Sequence, residues 1–232
     1  MIHETSVIEE GAVIGTDCNI GPYCVIGSHV VLGPRVTVDS HSVIRGHTTV
    51  GRDTKIGPFC AIGLQPEDPG YDGSYTSLVI GKNCILHSNV QIESGVNKTK
   101  VGDNCYFMTG SGVAHDSLIG NNVRFSPISG THGLATVEDN VILSKGAVVH
   151  QTVRVGKGSF VSTDVYIRKN VFPYSFIDGN PPKLERANIV GMKRAGFSND
   201  EITVINEAYK NGSAIELNKE FYEFCNNRGV YK

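Results

Sequence analysis

The sequence predicts a mainly-β chain: a parallel β-solenoid over residues 1–175, followed by a short α-helical tail over 176–232. Three observations carry this expectation. An aliphatic residue recurs every six positions, small residues hold one fixed place ahead of it, and the pattern turns helical near the end of the chain. With 40% of residues hydrophobic and 19% charged, one buried core can form and global disorder is excluded. Twenty-one basic against 23 acidic side chains give a formal net charge of −2, which argues against a nucleic-acid partner. No run reaches the roughly 18 apolar residues that would cross a bilayer, and Met1-Ile-His-Glu-Thr5 does not read as a signal peptide. The expected chain is cytoplasmic, without a membrane span.

The period starts at Ile2 and runs through Ile8, Ile14, Ile20, Ile26, Leu32, Val38, Ile44, Val50, Ile56 and Ile62. Glycine follows at 15, 21, 27, 33, 51, 57 and 63. After an interruption the phase survives at Ile80, Leu86 and Ile92. A second interruption shifts it to Val101, Phe107, Val113, Ile119 and Phe125. It breaks at Thr131 and resumes from Val137 through Leu143, Val149, Val155 and Val161 to Ile167. Six fits neither an α-helix nor a simple hairpin. It fits short strands joined by regular corners, three to a coil. In this the chain resembles the left-handed parallel β-helix of the hexapeptide-repeat acyltransferases. The triangular section and the handedness are implied by that resemblance alone.

Cys18, Cys24, Cys60, Cys84 and Cys105 each stand two residues ahead of an aliphatic position. Ala12, Thr48, Thr54, Ser111 and Ser117 share that phase, so the place takes small side chains. Buried free cysteine behaves as a small hydrophobe. With no Cys-x-x-Cys pair, reduced structural thiols are expected, and Cys225 lies outside the repeat.

Residues 64–79 and 93–100 interrupt the coils as two loops, and loops on a rigid scaffold are favoured places for function. After Ile167, Asn170-Val-Phe-Pro-Tyr174 and Asp178-Gly-Asn-Pro-Pro182 form a turn-rich exit. From Leu184 the period becomes helical. Ser198-x-x-Glu201 is a capping box opening a helix to about Lys210, and Ser213-x-x-Glu216 opens another. So short a tail must pack on the solenoid or on another subunit.

With eighteen residues per coil, His115, Gly133 and Gln151 stack on one edge. An imidazole is the usual general base at neutral pH, and a glycine lets its N–H approach an oxyanion closely. Asp116 can hold the tautomer of its neighbour. No serine or cysteine nucleophile has a clear signature, so direct attack by the substrate is expected.

Gly46-His-Thr-Thr-Val-Gly-Arg-Asp53, Val113-Ala-His-Asp116, His150-Gln151 and Asn188-Ile-Val-Gly-Met-Lys-Arg-Ala-Gly-Phe197 are similar to the acyl-carrier-protein–UDP-N-acetylglucosamine O-acyltransferase family of lipid A biosynthesis. That resemblance covers nearly the whole chain. It implies that His115 is the general base for a sugar hydroxyl and that Gly133 is the oxyanion donor. It places His150, Gln151 and Asn188 around the substrates and puts Lys193 and Arg194 on a basic surface facing the donor. It further implies a homotrimer with sites between subunits, acyl-carrier-protein or coenzyme A thioester as co-substrate, and no tightly bound cofactor.

The chain departs from the family pattern at Gly70, where the family has lysine, and at Glu93, Gly112 and Leu134, where it has histidines. The expected reaction is therefore acyl transfer to a hydroxyl or amino group of a nucleotide-linked amino sugar, with Glu93 and Leu134 shaping the acceptor site. The standard UDP-N-acetylglucosamine 3-O-acyltransferase and a non-catalytic solenoid scaffold remain the alternatives. His132 and His150 lie eighteen apart but lack a third ligand at suggestive spacing, so no metal is expected. Lys183, Arg186, Lys193 and Arg194 against Glu185 make a basic patch, either a carrier site or a solvated face.

Overall fold

A computed structural model describes residues 1–219 and 229–231; Cys225 lies outside them. The inward aliphatic of each hexad closes a two-residue strand, as in Val7–Ile8, Val13–Ile14 and Asn19–Ile20. These strands fall in turn onto three sheets of nine, eight and ten strands, parallel except for the last strand of the ten-stranded one, which form the faces of the solenoid. Register follows the eighteen-residue coil: Gly112 pairs with Gly130, Gly130 with Val148, and Val148 with Tyr166. The two interruptions loop out between strands, so Ala61 pairs with Gln91 and Gln91 with Gly112 while the inward phase is preserved.

The core is the column of inward residues. Ile20, Ile44, Ile62, Phe107, Phe125 and Leu143 are all fully buried, and the Phe107 and Phe125 rings stack at 4.6 Å. The small-residue column has a polar reason. Cys24, Cys60, Cys84 and Cys105 each point Sγ at a corner carbonyl of the next coil, Asp39, His87, Gly102 and Gly120 respectively. Ser42, Thr54 and Ser117 do the same with hydroxyls, to Gly57, Gly81 and His132. These side chains satisfy carbonyls that the strand ladders leave over. The corners adopt left-handed backbone, and one column of them is Asn83, Asn104, Asn122 and Asn140, a residue type that tolerates positive φ.

The sheet runs past Ile167. Ser175–Asp178 pairs in parallel with Phe160–Val161 and puts Ile177 in the core. The helical period expected from Leu184 is overturned here: Lys183–Ala187 is a strand, antiparallel to Ser175–Asp178. Leu184 and Ala187 do lie three apart, as on a helix face, but the unpaired edge of the preceding strand offers a ladder that satisfies this backbone directly.

Helix α1 (Ile189–Arg194) follows, capped by Asn188; α2 (Asn199–Lys210) opens on a complete Ser198–Glu201 capping box. Helix α3 (Ala214–Leu217) starts after Ser213, which makes no side-chain cap bond, so the second expected box does not form. The tail docks through buried Met192, Ile202 and Tyr209. The Tyr209 hydroxyl donates to the Pro173 carbonyl and accepts from Asn218 Nδ2, and burial pushes its pKa up to about 12. Val230 returns beside Asn170 at the end of the solenoid. No described helix is long and apolar enough to cross a membrane.

Candidate active site

His115 lies on the corner joining Gly112–Val113 of the nine-stranded sheet to Leu118–Ile119 of the eight-stranded one. Its Nδ1 is 2.9 Å from Asp116 Oδ2. An ionised carboxylate can only accept, so Nδ1 carries the proton and Nε2 keeps its lone pair. Asp116 is held from two sides: its Oδ1 accepts from Asn97 N at 2.6 Å, and its own N–H donates to Thr99 Oγ1 at 2.8 Å. Its side chain is 7% exposed, and Asn97 and Thr99 come from the second inserted loop and the strand it enters. The loop therefore anchors the residue that orients the imidazole. The spacing of the repeat could not show this, because Asn97 and Thr99 sit outside the phase.

Gly133 stacks on the same edge one coil further along. A Cβ there would collide with the His115 ring, so any other residue would displace the imidazole. Among the described residues the Gly133 N–H has no acceptor, whereas the His115 N–H one coil earlier donates to Glu93 Oε2 at 3.0 Å. Leu134 donates its N–H to the His115 carbonyl and holds left-handed backbone at φ 62°, with its side chain half exposed. Gln151 occupies the next coil of this edge and is exposed, and Thr152 N donates to the Gly133 carbonyl. Thr131, where the aliphatic series breaks, is buried directly before this edge, with its hydroxyl 3.2 Å from Ser117 Oγ.

Two cavities lie at this corner, one reaching the imidazole and the other beside Ala114. One, of about 270 Å³, is formed by the first loop and lined by Pro66, Asp68, Tyr71, His115 and Asp116. Asp68 Oδ2 is 3.9 Å from His115 Nε2, a neighbour supplied by the loop. The other, of about 300 Å³, is lined by Glu67, Glu93, Gly112, Ile128, Thr131 and His132. Burial pushes the Glu93 carboxyl above its usual range, against the hydrogen bond from the His115 amide. Beyond this cavity His150 packs its ring 5.8 Å from His132 and 5.7 Å from Tyr166.

Asn188, Lys193 and Arg194 do not join this group within one chain. Asn188 caps α1 and donates Nδ2 to the Gly158 carbonyl at 2.8 Å. It lines a cavity of about 630 Å³ on the ten-stranded face, together with Arg124, Phe160, Phe176, Arg186 and Arg194. The Arg186 guanidinium sits 4.0 Å above the Phe176 ring. Lys193 is exposed on the same helix. His115 stands on a different edge of the triangle.

Residues 170–228 match the second domain of UDP N-acetylglucosamine O-acyltransferase, and residues 1–34 and 29–63 match the bacterial transferase hexapeptide repeat. An acyl-[acyl-carrier-protein]–UDP-N-acetylglucosamine O-acyltransferase from Sinorhizobium fredii is 42% identical over 90% of this chain and 79% of its own length. One from Agrobacterium fabrum is 35% identical over 97% and 88%. The chain belongs to this acyltransferase family. The solved UDP-N-acetylglucosamine acyltransferase of Bacteroides fragilis superposes with a TM-score of 0.94 over the whole of both chains at 29% identity. That of Campylobacter jejuni gives 0.90 at 26%, over all of this chain and 99% of its own. The solenoid is thus the left-handed parallel β-helix of the family, and the protein is an acyltransferase.

Proposed function

We propose that this acyltransferase moves an acyl group from the thioester of an acyl carrier protein to a hydroxyl of UDP-N-acetylglucosamine, as its relatives are named for doing, and that the hydroxyl is the one at position 3. The observation that carries the reading is the His115–Asp116 pair poised over the unpaired N–H of Gly133. His115 Nε2 takes the hydroxyl proton as the oxygen attacks the thioester carbonyl, and Asp116 stabilises the imidazolium. The Gly133 N–H receives the tetrahedral oxyanion. Collapse breaks the carbon–sulfur bond, and the imidazolium returns its proton to the leaving thiolate.

A homotrimer completes the site: the arginine-lined cavity of one copy would face the His115 edge of the next, bringing Asn188 and Arg194 to the nucleotide phosphates. The product would enter lipid A or surface-polysaccharide synthesis in the cytoplasm. The experiment is turnover with UDP-N-acetylglucosamine and a series of acyl-carrier-protein thioesters, with the product identified by mass spectrometry. No transfer to any nucleotide sugar from any thioester would leave only a scaffold role.

A second reading is favoured by one feature. Among the described residues neither cavity at the His115 corner is lined by a lysine or arginine, while Glu67, Asp68 and Glu93 line them. An acceptor carrying an amino group, as in a nucleotide-linked amino or deoxyamino sugar, would complement these carboxylates. A nucleotide-sugar panel decides between the two readings. Efficient 3-O-acylation of UDP-N-acetylglucosamine, with no better acceptor, removes the second.

A further inference from the structure

The three corners of the solenoid are chemically unequal. Between the ten- and nine-stranded sheets one corner position recurs as Tyr23, His41, Phe59, Asn89, Gly110 and Ile128, and from His41 onward each N–H bonds a carbonyl of the coil before. All six hold left-handed backbone. That backbone suits asparagine and glycine, yet four of the six side chains are bulky. Tyr23, Phe59 and Ile128 are nevertheless 57 to 59% exposed. The Tyr23 and Phe59 rings each lie 5.0 Å from the His41 ring, on either side of it. No carboxylate, lysine or arginine stands on this column from Tyr23 to Ile128. The corner between the eight- and ten-stranded sheets uses the same backbone with other residues. It carries Asp17, Arg35 and Asp53, then a run of asparagines that includes Asn104. Arg35 holds Asp53 there through two exposed hydrogen bonds. The third corner carries His115.

In the homotrimer of the proposed function, the cavity on the ten-stranded face of one copy meets the His115 corner of the next. Rotational symmetry makes every copy present the same two faces to its two neighbours, and the corner shared by those faces points at the axis. One of the two is the ten-stranded face. The other adjoins His115, so it is the eight-stranded or the nine-stranded face. The eight-stranded choice would set the Asp17–Arg35–Asp53 corner on the axis. The nine-stranded choice sets the Tyr23–His41–Phe59 corner there. On a three-fold axis every side chain meets two copies of itself. Ionised groups would lose water and meet like charge, whereas aromatic rings would meet rings.

We infer that the corner of Tyr23, His41, Phe59 and Ile128 lies on the trimer axis, packed against the same corner of two further copies of this chain. The inference rests on the proposed homotrimer and adds which faces meet in it. The nine-stranded face of each copy turns towards the ten-stranded face of the next, and the eight-stranded face is left to solvent. The cavity lined by Glu93, Gly112 and His132 is then roofed by the neighbour. Ile128, which also lines it, closes it towards the axis, so that it opens at the His115 corner.

The test combines intermolecular cross-linking with sedimentation velocity. Tyr23→Cys and Arg35→Cys place a thiol on the two rival corners, and a short bismaleimide joins thiols only where copies approach. Wild type is the control for the native cysteines, five of which are buried. Tyr23→Cys should give covalent dimers, and Arg35→Cys none above the wild-type background. Dimers from Arg35→Cys, or from neither variant, overturn the axis assignment. In sedimentation, wild type should run as three chains of 25.0 kDa. The Tyr23→Asp/Phe59→Asp double variant should need a concentration at least about 100-fold higher to assemble, the scale of losing two central aromatic anchors. Its β circular dichroism should persist, because aspartate suits left-handed backbone. Asn104→Asp, which adds a charge on the other corner, should stay trimeric. A double variant that assembles as well as wild type overturns the axis and leaves the homotrimer standing. A monomeric wild type overturns the homotrimer itself, and the axis falls with it.

Discussion

Gly133 stands directly beneath the His115 ring, with no room between them for a Cβ. Among the described residues the same backbone unit leaves its N–H without an acceptor. Gly133→Ala keeps this N–H but pushes the imidazole aside. Turnover should fall by about 10²-fold or more, on the scale of losing an oxyanion donor or a positioned base, although the donor is still present. The variant's structure should show the ring rotated. An undisturbed ring with wild-type turnover would refute the geometric argument.

Replacing the imidazole itself gives the larger effect. His115→Ala should lower kcat by about 10² to 10⁴, the contribution of a positioned general base, with little change in melting temperature. Asp116→Asn should lower kcat on a similar scale, because with its Oδ1 still accepting from Asn97 N the amide turns its Nδ2 donor to His115 Nδ1, drives the ring proton onto Nε2 and no longer stabilises the imidazolium. Activity within a few-fold of wild type for the alanine variant removes His115 as the base.

Glu93 sets a stability trend with pH. Its folded carboxyl titrates above the usual range because burial opposes its charge. The folded state therefore holds that proton more tightly than the unfolded chain does. The cost of the charge is present above the folded pKa and is relieved as pH falls through it. Glu93→Gln should raise the melting temperature at pH 7 by no more than about 2 °C, allowing for partial solvent screening. The difference from wild type should narrow as the solution is acidified through the raised carboxylate range. A difference that widens instead would show that the carboxylate gains more from the His115 amide than it loses by burial.

Tyr209 ties α2 to the end of the solenoid through Pro173 and Asn218. Tyr209→Phe keeps the packing and removes both bonds, leaving the Pro173 carbonyl without this donor. A loss of about 1–2 kcal/mol is expected, or roughly 2–8 °C in melting temperature for a chain of this size. Ser198→Ala, which opens the capping box on the exposed side of the same helix, should cost about 1 kcal/mol. If Tyr209→Phe costs less than Ser198→Ala, the tail is held by its apolar face alone.

The sequence by itself determined the solenoid, its core column and the His115–Gly133–Gln151 edge. A six-residue period forces the same side chain inward at every strand, and eighteen residues per coil stack one edge above another whatever the loops contain. It also determined the start of α2, because the Ser198–Glu201 box is local chemistry. Only the tertiary structure decided the rest. Lys183–Ala187 became a strand because the preceding Ser175–Asp178 strand, docked on the sheet, offered an open edge to pair with it, which no local period records. Asn97 and Thr99 came to hold Asp116, and Asp68 came to face His115, because loops outside the repeat fold back over the corner. Asn188, which the motif sets by the substrates, and Arg194, which it sets on a donor-facing surface, lie on another face of the same triangle from His115 within one chain. Motif resemblance assigns residues to a site, but the distance between them is set by how the coils carry each edge around the solenoid.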